Sequence, residues 1–199
     1  MKKTISAKDI AIFGILFALV VVMQSLGGTV SIGAVQLNFT LIPIVLGAVI
    51  FGALGGAVLG FTCGVVVLIQ VIMGMSPFYV IIWSYTPVIT TLTCIVKTTV
   101  AGFVAGLVYK LIKGKNDYVA IFTASALVPV INTALFILGA LCMGDAITAF
   151  QVQIGDTTGN ALVFILVVLV TFNFFIELAL NLIVAPSLHR VIKVFDKSR

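Results

Sequence analysis

Six stretches of this chain stay apolar over lengths that suit a bilayer crossing: residues 9–26, 37–51, 53–73, 87–111, 118–142 and 160–185. A transmembrane helix needs about 20 mostly apolar residues. Inside lipid every backbone polar group must be bonded within helices or a closed barrel. Barrel strands do not fit, because the runs are too long and do not alternate apolar with polar. The pattern predicts an all-α integral membrane protein, a single domain of six transmembrane helices over residues 1–199. The second run is short, and "FGALGG" (51–56) reads as a tight join into the third. With 62% hydrophobic and 9% charged residues, the chain is far from a soluble domain, where roughly a quarter of residues are charged.

Orientation follows from the basic residues, which are retained on the cytoplasmic side. Lys97 lies inside a run; the ten other lysines and arginines sit at Lys2, Lys3, Lys8, Lys110, Lys113, Lys115, Arg190, Lys193, Lys197 and Arg199. Six spans with both termini cytoplasmic put all ten inside. The outer connections, 27–36, 74–86 and 143–159, then carry only Asp145 and Asp156. The net charge of +5 thus reads as a topology signal, not a nucleic-acid footprint. Cys63, Cys94 and Cys142 have no metal-ligand spacing and read as small packing residues. Asp9 ahead of the first run, with no small-x-small cleavage site after it, argues against a cleaved signal.

Polar groups inside the runs are the candidate site. A charge at mid-bilayer costs a few kcal/mol or more and marks a site or a pair. Lys97 is expected roughly 15 Å below the outer surface, with Asn132 and Asn173 at a similar level on successive helices, from a rise of ~1.5 Å per residue. Asn173, Glu177 and Asn181 fall on one helix face at four-residue steps. Three readings stand open. Lys97 and Glu177 form a buried ion pair, with the asparagines bonding neighbouring helices; or Lys97 receives an anionic ligand that Asn132 and Asn173 orient; or Glu177 relays protons, as in a pump. Glu177 is expected beneath the pocket, and Asn181 in a helix–helix bond near the cytoplasmic face.

The outer connections look like binding loops. The first ends in Gln36 and Asn38; the second, "GMSPFYVIIWSYTP", holds Phe78, Tyr79, Trp83 and Tyr85 between two prolines; the third supplies Gln151, Gln153, Asp156 and Asn160. An interfacial aromatic belt and a lid over a ligand both account for the aromatics. Small residues recur at Gly52, Gly56, Gly60 and Gly64, at Ala101, Gly102, Ala105 and Gly106, and at Ala7, Ala11, Gly14 and Ala18. Such ridges let helices approach closely in lipid, within one bundle or against another subunit. There is no G-x-x-x-x-G-K-[ST], H-E-x-x-H or G-x-S-x-G, no nucleophile with a base and no inverted repeat. His189, beyond Pro186, reads as interfacial. The chain is expected not to be an enzyme, to hold no cofactor or metal, and to draw its energy from a partner.

The stretches "LNFTLIPIVLGAVIFGALGGAVLGFTCGV" (37–65), "VKTTVAGFVAGLVYKLI" (96–112) and "NFFIELALNLIVAP" (173–186) resemble the substrate-binding S components of energy-coupling factor (ECF) vitamin transporters. Ala53 departs from the proline that relatives often carry after "FG". The resemblance implies a vitamin captured from outside a bacterial plasma membrane, then imported with a transmembrane coupling subunit and two cytoplasmic subunits that use ATP. It implies a pocket at the outer half, roofed by the outer loops; with the polar and aromatic residues above, the expected ligand set is Asn38, Trp83, Tyr85, Lys97, Asn132, Asn160 and Asn173. It also implies partner docking through Ala11, Gly14 and Ala18. The second and third runs look most like the pantothenate group, and Lys97 favours a carboxylate ligand. Pyridoxine, niacin, cobalamin, folate and biotin stay open, as does a stand-alone ion-coupled transporter.

Overall fold

A computed structural model describes residues 6–27, 31–32, 35–36, 38–156 and 159–197. The lysines at 2 and 3 and the arginine at 199 lie outside them. Helix α1 (Ala7–Gly27) starts at a reciprocal cap: the Ser6 N–H donates to Asp9 Oδ2 (3.2 Å) and the Asp9 N–H to Ser6 Oγ (3.1 Å). These bonds satisfy two donors that a helix start leaves open. A two-residue ribbon pairs β1 (Ser31–Ile32) with β2 (Val35–Gln36). Then come α2 (Leu41–Ile72), α3 (Pro77–Tyr85), α4 (Pro87–Lys113), α5 (Asp117–Leu141), α6 (Gly144–Gln153) and α7 (Ala161–Phe164). From α7 the chain continues through a π-helical segment (Ile165–Val170) into α8 (Thr171–Lys197). Among the described residues, five helical stretches are long and apolar enough to cross a membrane: α1, α2, α4, α5 and the continuous helix from α7 through α8.

Helix α2 is not straight. Gly52 has φ 78° and ψ −169°, a conformation essentially confined to glycine, and the chain doubles back there. A Cβ placed on Gly55 would lie 2.9 Å from the Gly47 carbonyl oxygen, and one on Gly56 would lie 2.7 Å from the Ala48 Cβ. In an unbroken helix residues eight apart would be separated by ~12 Å. The arms 41–51 and 53–72 therefore run side by side, and the tight join expected from "FGALGG" is this turn.

The glycine ridge of the second arm zips onto the small-residue ridge of α4. A Cβ on Gly56 would strike the Gly102 carbonyl, one on Gly60 the Thr98 carbonyl, and one on Gly64 would sit 2.6 Å from the Cys94 carbonyl oxygen. Thr98 Oγ1 donates to the Gly60 carbonyl at 2.6 Å, a bond open only to helices that approach this closely. Both ridges are used inside the bundle. The ridge of α1 is not: Ala11, Gly14 and Ala18 are exposed, and a Cβ on Gly14 would meet nothing within 4 Å. Leu16 and Val20 turn inward instead, and Phe13 meets Phe51 edge-on at 5.2 Å.

At one end of the bundle, α3 and α6 form a cap. Phe78 packs against Phe150 (ring centroids 5.1 Å) and Phe150 against Phe164 (6.1 Å). The Lys113–Lys115 connection between α4 and α5 lies at the other end.

Candidate binding cavity

Under this cap lies a cavity walled by α1, α2, α3, α4, α5 and the last helix. Each transmembrane element reaches it near the capped end: α1 by Gln24, α2 by Val67 and Val71, α4 by Thr90, Thr93 and Lys97, α5 by Asn132, Phe136 and Ala140. The cavity is therefore at the end of the bundle opposite Lys113 and Lys115. Its enclosed volume is about 80 Å³. Its walls mix aromatic and aliphatic side chains with a few convergent polar groups, the usual make-up of a ligand site.

The polar groups come from helical stripes. Thr90, Thr93 and Lys97 follow at steps of three and four, which brings them to one face of α4. The Lys97 ammonium stands 5.3 Å from the Phe136 ring centroid, a cation–π distance. On the last helix Asn173 and Glu177 are one turn apart and both buried. Just before them the helix widens into its π turn, where Thr171 Oγ1 donates to the Leu166 carbonyl at 2.6 Å; π turns of this kind recur at functional sites. Asn173 Nδ2 donates to the Leu169 carbonyl at 3.3 Å. Asn132, one turn past the helix-interior Pro129, is 5% exposed, and its Oδ1 has no hydrogen-bond partner among the described residues.

Glu177 is held differently from either sequence expectation. Its Oε1 accepts the backbone N–H of Asn38 at 2.9 Å, and no ion pair joins it to Lys97 among the described residues. It lines the cavity and does not lie beneath it. Asn38 is the junction into α2: its Oδ1 accepts the Thr40 N–H (3.2 Å), and its Nδ2 faces Cys63 Sγ (3.9 Å). Thr40 Oγ1 in turn donates to Gln24 Oε1 at 2.6 Å, and Gln24 is clamped by Gln70. Asn181 bonds within its own helix, Nδ2 to the Glu177 carbonyl at 2.8 Å, and not to a neighbouring helix.

Of the residues expected at the ligand, the cavity gathers Asn38, Lys97, Asn132 and Asn173. Trp83, Tyr85 and Asn160 are placed elsewhere. The expected aromatic loop is a helix, started by Ser76, whose Oγ accepts the Tyr79 N–H (3.2 Å), with Pro77 at its first position. A helix turns its side chains outward in all directions, so only Phe78, Tyr79 and Ile82 line the cavity. Trp83 packs half-buried on the main core, and Tyr85 is exposed. Asn160 is spent as a helix cap, its Oδ1 accepting the N–H groups of Leu162 (2.9 Å) and Val163 (3.3 Å). Sequence reasoning passed over Gln24, Thr90, Thr93 and Phe136; the spacing of the two threonines ahead of Lys97 is the signal that could have found that pair.

Residues 8–189 match the family described as the substrate-specific component of ECF transporters. The chain belongs to this family. Among curated proteins none matches it. The S component is thus an integral membrane subunit of a transporter and not a member of an enzyme family. Membership implies a small-molecule substrate and an ECF module as partner.

Proposed function

We infer that this S component captures an anionic vitamin from the outer face of a bacterial plasma membrane, with pantothenate the best candidate. The observation that carries this reading is Lys97, an ammonium with no carboxylate partner among the described residues, in a cavity with the make-up of a ligand site. An anion there replaces the hydration that the ammonium has lost, through charge-assisted hydrogen bonds. Counting the two arms of α2 separately gives six spans. With Lys113 and Lys115 cytoplasmic, both chain termini are then cytoplasmic and the cavity opens outward. The exposed stripe Ala11, Gly14 and Ala18 docks a transmembrane coupling subunit, and two ATPase subunits bound to that partner hydrolyse ATP.

The test is the melting temperature of the detergent-purified protein against a panel of water-soluble vitamins. A ligand that binds only the folded state stabilises it by ~2.7 kcal/mol at a hundredfold excess over Kd. Pantothenate is expected to raise the melting temperature. A rise with only an uncharged vitamin, such as pyridoxine, would remove the anionic assignment. A folded protein indifferent to every vitamin would remove the vitamin assignment as well.

A further inference from the structure

We propose that the ligand bridges two poles of the cavity, its anionic group at Lys97 and a hydrogen-bond donor at the free carboxylate oxygen of Glu177. The proposal rests on the reading of this cavity as the substrate site and narrows the substrate to molecules that carry both groups. The donor is a hydroxyl, and the wall around Glu177 is what asks for it.

An ionised carboxylate only accepts hydrogen bonds, and its two oxygens offer about four lone-pair sites. Glu177 is 6% exposed, and Asn38 supplies one N–H to Oε1. The second oxygen, Oε2, has no partner among the described residues, and Lys97 does not reach it. One turn earlier, the Leu169 carbonyl accepts from Asn173 and so fixes which end of that amide is nitrogen; Asn173 Oδ1 is left buried without a donor. Asn132 Oδ1, across the cavity on α5, is in the same condition. Buried acceptors without donors are costly, and two of them, Asn173 Oδ1 and Asn132 Oδ1, belong to residues that line the cavity beside Glu177. The opposite need exists at Lys97, whose three N–H donors meet only the face of Phe136 among the described residues. A ligand anionic at one end and rich in donors at the other satisfies both walls. An acid without donors would leave the acceptors of α5 and α8 unpaired, and a donor without an anion would leave Lys97 unmatched.

The experiment is titration calorimetry on the full chain in detergent with three probes. Pantothenate has the carboxylate and two hydroxyls, panthenol keeps the hydroxyls without the anion, and N-butyryl-β-alanine keeps the carboxylate without the hydroxyls. Each truncated probe is expected to bind at least about tenfold more weakly than pantothenate, the effect of losing a hydrogen bond to a charged group. Glu177→Gln is expected to weaken pantothenate by a similar factor and to cost N-butyryl-β-alanine far less. If N-butyryl-β-alanine binds wild-type protein as tightly as pantothenate, the donor pole is refuted while pantothenate capture stands. That comparison needs no variant, so it decides even if Glu177→Gln does not fold. Equal weakening of both acids by Glu177→Gln also overturns the proposal, since Glu177 would then act only by holding Asn38. If no probe binds, the pantothenate reading fails and takes the bridge with it.

Discussion

The Lys97 ammonium lies over the Phe136 ring with no carboxylate in contact, while Glu177 is held by the Asn38 backbone. Removing one partner of a buried ion pair typically costs 3–5 kcal/mol, because the other charge is left uncompensated. Here no such partner is orphaned, so Lys97→Met is expected to leave the melting temperature of the unliganded protein unchanged or raised. The same substitution is expected to lower affinity for an anionic vitamin at least about tenfold, the range for a charged hydrogen bond. Calorimetry and thermal melting on one preparation separate the two effects; a collapse in stability with affinity retained would restore the ion-pair reading. Glu177→Ala should differ in its effect on stability. It frees the Asn38 N–H at the start of α2, and its expected cost of about 1–3 kcal/mol is read as a lowered melting temperature even without ligand.

Helix by helix, the small residues divide by what a methyl group would meet. At Gly60 it meets the Thr98 carbonyl in the backbone of α4, where nothing flexible can yield. Gly60→Ala is expected to destabilise by about 1–3 kcal/mol, the usual cost of overpacking. At Gly14 it meets nothing, so Gly14→Ala should leave stability unchanged or raise it by up to ~1 kcal/mol through helix propensity. Thermal melts of the two variants side by side check the pair, and equal effects would mean that the α2–α4 contact is not what the glycines serve. The four-residue glycine spacing made this contact legible in the sequence, as the run lengths made the helices legible. What no local pattern carried was which ridge pairs with which, because that depends on the reversal at Gly52 bringing the second arm against α4. The helix at Pro77–Tyr85 was hidden for a related reason. Aromatic and β-branched residues between prolines read as a loop, and the Ser76 cap with Pro77 behind it is the one local start signal.

For the molecule as a whole, the cavity and the exposed stripe of α1 are separate surfaces, and that separation is what a binding subunit with an external energy source requires. Lys97, Asn132 and Asn173 were legible as neighbours, and they line one cavity, because intramembrane polar residues at one depth have few other uses. Glu177 was harder to place, since its partner is a backbone N–H of Asn38, far away in sequence, and a backbone donor leaves no trace in residue type. Trp83 and Asn160 misled because their residue types serve packing and capping as readily as ligand contact. If the stripe of α1 docks the coupling subunit, larger side chains there should uncouple binding from transport. Gly14→Leu combined with Ala18→Leu adds bulk where the bundle leaves open space, so the melting temperature and vitamin affinity of the isolated S component are expected to stay as they are. Close helix approach across a small-residue face is lost when such residues are enlarged. Co-purification with the coupling subunit and ATP-dependent uptake into proteoliposomes should therefore both fall. Uptake by wild-type protein alone, driven by an ion gradient, would contradict the division of labour, and undiminished assembly of the double variant would move the docking face elsewhere on the bundle.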